Sequence, residues 1–180
     1  MSIPNNNSKE QSSSKTSWHL SFAQALQWDL SPVDISVTEL PWIDILLLKR
    51  NQPTWTAEQL ERLPDGVRQS QASHILLEFK YSQSLDNKAM AQAVGYNHFY
   101  QESHQLDDTD VQTFLVSAKK PQLETRKAFG YETMRYSGVY ESQWILEKRI
   151  RLISLNELTD EPYNAVSNCL RPTKLKKPKH

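Results

Sequence analysis

The sequence contains little that could fix a fold covalently or hold a phosphate group through backbone loops. Its single cysteine, Cys169, allows no disulfide within the chain, which is typical of proteins from a reducing compartment. Only four glycines occur among the 180 residues, and none of them cluster, so a glycine-rich phosphate-binding loop is excluded. Any chemistry therefore has to come from polar and charged side chains.

Long apolar runs and an excess of one charge are also missing. No stretch reaches the length needed to span a membrane, and the opening MSIPNNNSKEQSSSKT lacks the apolar run of a signal peptide. Basic and acidic residues balance at 21 each, so the bulk charge does not attract a polyanion. We therefore expect a soluble, cytoplasmic protein with no membrane partner, in which any contact with nucleic acid comes from local clusters of charge.

Composition divides the chain into one domain and two tails. Residues 1–16 are mostly Ser, Asn and Lys, and we expect them to be disordered. Residues 161–180 end in the basic segment RPTKLKKPKH, which predicts a flexible tail. Residues 17–160 between them are long enough for a single domain with its own core.

Helical and extended patterns alternate along this domain. Residues 17–30 have the apolar spacing of a helix, and a second helix is expected to begin at Asp86 or Asn87. Segments rich in β-branched and aliphatic residues predict strands at residues 34–40, 43–50, 74–81 and 111–119, with further extended segments at 131–146 and 150–158. The order predicts an α/β domain with a central mixed sheet flanked by helices and a C-terminal β extension.

One predicted strand, HILLEFKYS at residues 74–82, carries two charges in an apolar run. Because side chains alternate along a strand, Glu78 and Lys80 share one face with Leu76, while Ile75, Leu77, Phe79 and Tyr81 share the other. A buried charge without a partner is unfavourable. Either Glu78 and Lys80 form a plain ion pair at the edge of the sheet, or a second carboxylate and a divalent cation complete a site.

A second carboxylate is available in the preceding strand. Asp44 lies in the run IDILLLKR, where its neighbours are aliphatic. If the strands 43–50 and 74–81 are adjacent, Asp44 and Glu78 can converge beside Lys80. Their mutual repulsion would be relieved by Mg²⁺ or Mn²⁺, which prefer oxygen ligands, and the carbonyl of Phe79 could add another oxygen. Lys80 would then orient a water for attack on a phosphodiester.

Asp44 together with Glu78-Phe79-Lys80 and the order of elements around them resembles the PD-(D/E)XK, restriction-endonuclease-like nuclease superfamily, over residues 17–120. The resemblance implies an αβββαβ core with Asp44 and Glu78 as metal ligands and Lys80 beside the attacking water. It also implies a metal-dependent nuclease that cuts DNA through a metal-activated water, and a homodimer is a further expectation because many members dimerise. The alternative is a nuclease-like domain that has lost catalysis and serves as a binding or accessory module.

The same resemblance implies two accessory residues on the following helix. Many members place a Gln and a Tyr there, and Gln92 and Tyr96 are four residues apart in AMAQAVGYNHFY. This spacing puts them on one helical face, from which both could reach the site.

Asp65 competes with Asp44 for the role of first ligand. It lies in Leu63-Pro64-Asp65-Gly66, thirteen residues before Glu78, and supplies a literal Pro-Asp. Pro-Asp-Gly is also a strong turn signal, which by itself explains an exposed aspartate. The sequence leaves both candidates open and favours Asp44, because a turn does not account for an aspartate inside an apolar strand.

Overall fold

The computed structural model describes residues 35–37, 45–80 and 85–168. Within these residues seven strands form one sheet. The strands are β1 (Ile35–Val37), β2 (Ile45–Lys49), β3 (His74–Lys80), β4 (Val111–Ser117), β5 (Tyr131–Thr133), β6 (Val139–Ser142) and β7 (Ile150–Ser154). Their order across the sheet is β1-β2-β3-β4-β7-β6-β5.

The sheet is mixed. Strands β1, β2 and β3 pair antiparallel, β3, β4 and β7 pair parallel, and β7, β6 and β5 again pair antiparallel. The predicted α/β class, the adjacency of β2 and β3, and the C-terminal β extension are confirmed. The predicted tail 1–16 and the predicted helix at residues 17–30 lie outside the described residues.

Helices of very different length accompany the sheet. They are α1 (Ala57–Leu60), α2 (Asn87–His104), α3 (Leu123–Ala128) and α4 (Ala165–Asn168), with 3-10 turns at Glu147–Arg149, Leu155–Glu157 and Pro162–Asn164. No helix in the part of the chain that the structure describes is long and apolar enough to cross a membrane.

The long helix α2 begins where the sequence predicts. The carboxylate of Asp86 accepts a hydrogen bond of 2.7 Å from the backbone N–H of Ala89, which satisfies one of the donors left open at a helix start. The helix ends at Gln105, whose φ of 53° is left-handed and stops the helical path.

The two faces of β3 lie in different environments. Leu77 and Phe79 pack in one core cluster with Leu63 and Val67, which come from the segment before β3. On the Glu78 face, α2 covers the sheet through Met90 and Ala93, which cluster with Leu115 and Leu152, among others. The alternation predicted for β3 is confirmed, and both of its faces are buried.

The domain continues past the boundary that composition suggests. Residues 161–168 form the last 3-10 turn and α4, and within them Asn164 and Ser167 are buried. The ring of Tyr163 lies under the guanidinium of Arg68, with the guanidinium carbon 3.7 Å from the ring centroid. The prediction that the flexible tail starts at residue 161 is therefore wrong for 161–168, because polar side chains in this segment pack against the loop before β3.

Candidate functional site

Glu78 and Lys80 form a buried ion pair in the interior of the sheet. The Nζ atom of Lys80 lies 2.5 Å from Oε1 of Glu78, and the two side chains are 15% and 3% exposed, respectively. Strand β3 lies between β2 and β4. The pair is therefore not at a sheet edge, where the plain ion-pair interpretation expected it, and both charges have lost most of their hydration.

The neighbours of Glu78 across the sheet are apolar. Ile45 on β2 and Leu115 on β4 lie directly opposite it in the strand register. A carboxylate between such neighbours costs several kcal/mol to desolvate, and even a good ion partner roughly offsets that cost. Burial of this pair is therefore poor evidence for a stabilising role, since well-packed hydrophobic residues would serve stability equally well.

Helix α2 brings a polar group to the pair. The ammonium of Lys80 donates a hydrogen bond of 3.3 Å to Oε1 of Gln92. Gln92 is one of the two accessory residues that the resemblance implied on this helix. Glu78 and Gln92 together fix the position of the Lys80 ammonium from two sides.

Tyr96 follows one turn later on the same helix. Burial raises the pKa of the Tyr96 hydroxyl, and the negative charge of Glu78 raises it further. The hydroxyl therefore stays protonated near neutral pH, where it can act as a hydrogen-bond donor. The structure thus brings together Glu78, Lys80, Gln92 and Tyr96 on one face of β3.

Asp65 has a different environment from the one its sequence predicts. The turn is present, with Gly66 at a φ of 90°, but Asp65 is only 2% exposed. Its Oδ1 accepts from Nε2 of Gln69 at 3.1 Å, and its Oδ2 accepts from Nδ2 of Asn164 at 3.0 Å. Its backbone N–H donates to Oδ1 of Asn164 at 2.9 Å. The expectation of an exposed turn aspartate is wrong, because Asn164 covers it.

The turn carrying Asp65 packs on the face of the sheet away from Glu78. A side chain added at Gly66 would meet Phe114 and Ile153. Phe114 is paired with Leu77, so both point away from Glu78. Asp65 and Glu78 lie on opposite faces of the sheet, so they cannot bind the same metal ion. The geometry therefore argues against Asp65 as the partner of Glu78.

Asp44 lies outside the described residues, and it immediately precedes Ile45, which pairs with Glu78. Regular alternation beyond Ile45 would direct residue 44 to the Phe79 face. The predicted convergence of Asp44 and Glu78 therefore requires a local departure such as a β-bulge, a feature that is frequent beside active sites. Among residues 35–37, 45–80 and 85–168, no group of three or more His, Cys, Asp or Glu side chains could hold a metal ion.

A second carboxylate–lysine pair, which the sequence does not predict, lies beyond the carboxyl ends of β4 and β7. The Nζ atom of Lys120 is 2.7 Å from Oε1 of Glu157, and the hydroxyl of Tyr140 donates to Oε2 of Glu157 at 2.7 Å. Burial raises the pKa of Glu157, but the hydrogen bonds from Lys120 and Tyr140 outweigh it, and the net pKa is lowered. The residues are far apart in sequence, so no local pattern signals the pair.

The other end of β3 carries a pH-sensitive histidine. His74 is 9% exposed. Burial lowers the pKa of His74 below 6.5, the charges of Lys49 and His104 lower it further, and Asp110 opposes them. Below about pH 6.5 the unfolded chain therefore binds more protons at this position than the folded protein does, so stability falls as the pH falls.

The expected result is that the free energy of unfolding in urea decreases between pH 7.5 and pH 5, and that His74→Gln makes this decrease smaller. His98→Gln, on the exposed side of α2, is the matched control and is expected to keep the decrease of the unsubstituted protein. Equal pH dependence in the protein and in His74→Gln would contradict the assignment.

Comparisons of the chain with protein-family models, with curated proteins and with solved structures gave no match. The function is therefore argued from the residues and their geometry.

Proposed function

We propose that this protein is a magnesium-dependent nuclease that hydrolyses phosphodiester bonds of DNA, with its site on β3 around Glu78 and Lys80. The observation that carries the proposal is the desolvated Glu78–Lys80 pair on an interior strand, joined there by Gln92 from α2. A carboxylate kept between apolar neighbours is costly, and such groups concentrate where chemistry needs them.

The position of the pair in the fold supports this proposal. Lys80 is the last residue of β3, and β4 and β7 run parallel to β3, so their carboxyl ends meet at one end of the sheet. In open α/β sheets ligands bind beyond the carboxyl ends of the strands. The pair therefore lies where this architecture offers a binding site.

Each residue of the site has a distinct proposed role. The carboxylate of Glu78 is a hard oxygen ligand and, with Asp44, would hold Mg²⁺. Lys80 orients the attacking water and offsets negative charge that grows on the phosphate in the transition state. Gln92 keeps the Lys80 ammonium in place, and the Tyr96 hydroxyl donates to a phosphate oxygen or to Glu78.

The donor set of the described residues suits Mg²⁺ in type but is incomplete in number. Glu78 is the carboxylate that β3 itself contributes on this face, and Mg²⁺ usually takes one or two carboxylates and keeps several waters. Once bound, the ion supplies Lewis acidity at the phosphate and acidifies a water molecule. The proposal therefore depends on Asp44.

Titration calorimetry with MgCl₂ on the full chain tests this dependence. The unsubstituted protein is expected to bind Mg²⁺ and to nick plasmid DNA only when Mg²⁺ is present. Asp44→Asn is expected to lose both the binding heat and the nicking, because an amide is a far weaker ligand than a carboxylate.

Asp65→Asn is the matched control, since it makes the same chemical change in the competing aspartate. It is expected to retain Mg²⁺ binding below its melting temperature. Loss of binding in Asp65→Asn with retention in Asp44→Asn would overturn the assignment of the first ligand. Binding of Mg²⁺ and DNA without any cleavage would favour the inactive binding module, and absence of Mg²⁺ binding would overturn the proposal.

A further inference from the structure

The polar surface around Glu78 continues across the carboxyl ends of the parallel strands β3, β4 and β7. Lys80 on β3, Ser117 on β4 and Ser154 on β7 are aligned in one register, so their side chains share a face. Just beyond these strand ends lie Lys120 and Glu157. Two carboxylate–lysine pairs therefore occupy the same end of the sheet, two strands apart.

The second pair lies on the same face as the first. Tyr140, whose hydroxyl bonds to Glu157, packs in one cluster with Leu115 and Leu152. Leu115 is the register partner of Glu78, so this cluster marks the Glu78 face. Tyr140 thus holds the Glu157 carboxylate from that side.

The loop that carries Lys120 is anchored at several points. The hydroxyl of Ser117 donates to the carbonyl of Lys119 at 2.7 Å, and Nδ2 of Asn156 donates to the carbonyl of Ala118 at 2.6 Å. The Lys120 side chain is nevertheless 62% exposed. Its ammonium is therefore held in a defined place and still open to a ligand from solvent.

We infer that Lys120 is a phosphate-binding residue that contacts the DNA backbone beside the scissile phosphate, an inference that rests on the proposed nuclease function. Neighbouring strands are about 4.8 Å apart, so the ends of β3 and β7 are roughly 10 Å apart. One nucleic-acid strand carries a phosphate about every 3.4 Å along the helix axis. A strand that crosses this end of the sheet therefore presents one phosphate to Lys80 and another, a few nucleotides away, to Lys120.

The charges of the Lys120 pair suit this role. Glu157 is ionised at neutral pH and bonded to Tyr140, so it positions the ammonium without needing a bound ligand. An ammonium has three donors, and Glu157 accepts from Lys120 through one oxygen, so further donors can reach a phosphate.

The test is binding of a fluorescein-labelled DNA oligonucleotide to the full chain in EDTA, followed by anisotropy at several salt concentrations. Each lysine–phosphate contact adds about 0.9 to the slope of log affinity against log salt for duplex DNA and about 0.7 for a single strand. Lys120→Gln is expected to lower the slope by that amount, and Lys120→Arg is expected to restore it. Glutamine can still donate to Glu157, which limits structural damage.

The matched control is Lys49→Gln. Lys49 is exposed and pairs with His74 at the amino end of β3, about 20 Å along the strand from Lys80. It is expected to leave the slope unchanged. Equal slopes for the unsubstituted protein and Lys120→Gln would overturn this inference alone. Absence of any DNA binding by the unsubstituted protein would overturn the proposed function as well.

Discussion

The double variant Glu78→Gln/Lys80→Gln is expected to lose magnesium-dependent cleavage by at least about a hundredfold while its free energy of unfolding stays within about 1 kcal/mol of the unsubstituted protein. Glu78→Gln keeps the side-chain shape, Lys80→Gln replaces the ammonium with a shorter neutral amide, and the two charges are removed together, so no uncompensated charge remains buried. In the proposed mechanism, the double variant lacks both the carboxylate ligand of Mg²⁺ and the cation beside the phosphate, which accounts for the expected catalytic loss. Plasmid nicking and urea unfolding measure the two quantities.

The single variant Lys80→Gln is expected to be much less stable than the double variant. Lys80→Gln leaves the Glu78 carboxylate, 3% exposed, without its ammonium, and it is expected to cost up to about 3 to 5 kcal/mol. Arg151→Gln/Glu141→Gln is the matched control, because it neutralises a looser ion pair of 3.3 Å between β7 and β6. That control is expected to cleave normally. Normal cleavage by the Glu78→Gln/Lys80→Gln protein would contradict the assignment of the active site to Glu78 and Lys80.

Asn164→Ala is expected to destabilise the protein by about 3 kcal/mol, a loss of about 6 to 12 °C in melting temperature. Asn164 is fully buried and bonds both to Asp65 and to Thr159. Truncation removes the Asn164 oxygen that accepts from the backbone N–H of Asp65 and the Asn164 amide that donates to the Asp65 carboxylate. Each buried group left without a partner costs about 1 to 3 kcal/mol. Thermal unfolding followed by circular dichroism measures the effect.

Asn168→Ala provides the comparison within α4. Asn168 is half-buried, and its Nδ2 makes a solvent-exposed hydrogen bond of 3.2 Å to the carbonyl of Thr159, so its loss is expected to cost under about 1 kcal/mol. Similar melting temperatures for the two variants would show that the Asn164 contacts with Asp65 contribute little.

The sequence predicts the parts of this fold that local patterns determine. Strict alternation in HILLEFK identifies which residues share a face, and the structure confirms it because β3 is regular throughout. The start of α2 is predictable because Asp86 caps the helix through the backbone N–H of Ala89, only three residues further along the chain. The spacing of Gln92 and Tyr96 puts both on one face of α2, whereas the approach of that face to Lys80 was implied only by the family resemblance.

Features that depend on distant residues are not predictable in this way. Pro64-Asp65-Gly66 has every local sign of an exposed turn, and nothing nearby reveals that Asn164 covers it. The Lys120–Glu157 pair also joins residues far apart in sequence and is therefore not predictable from local patterns. It forms because β7 lies between β4 and β6 in the sheet. Asp44 remains the preferred first ligand on grounds of sequence and of the position of Asp65.

The contact between Asp65 and Asn164 also affects the order in which parts of the chain are expected to fold. It joins residues 99 positions apart, whereas the hydrogen bond from Lys80 to Gln92 spans 12 positions. Loop-closure entropy grows with the logarithm of loop length, and the longer closure costs about 2 kcal/mol more. The helix–strand side of the candidate site can therefore form early in folding, from a short stretch of chain. We expect the far side of the sheet to close later, when the 3-10 turn that carries Asn164 reaches Asp65.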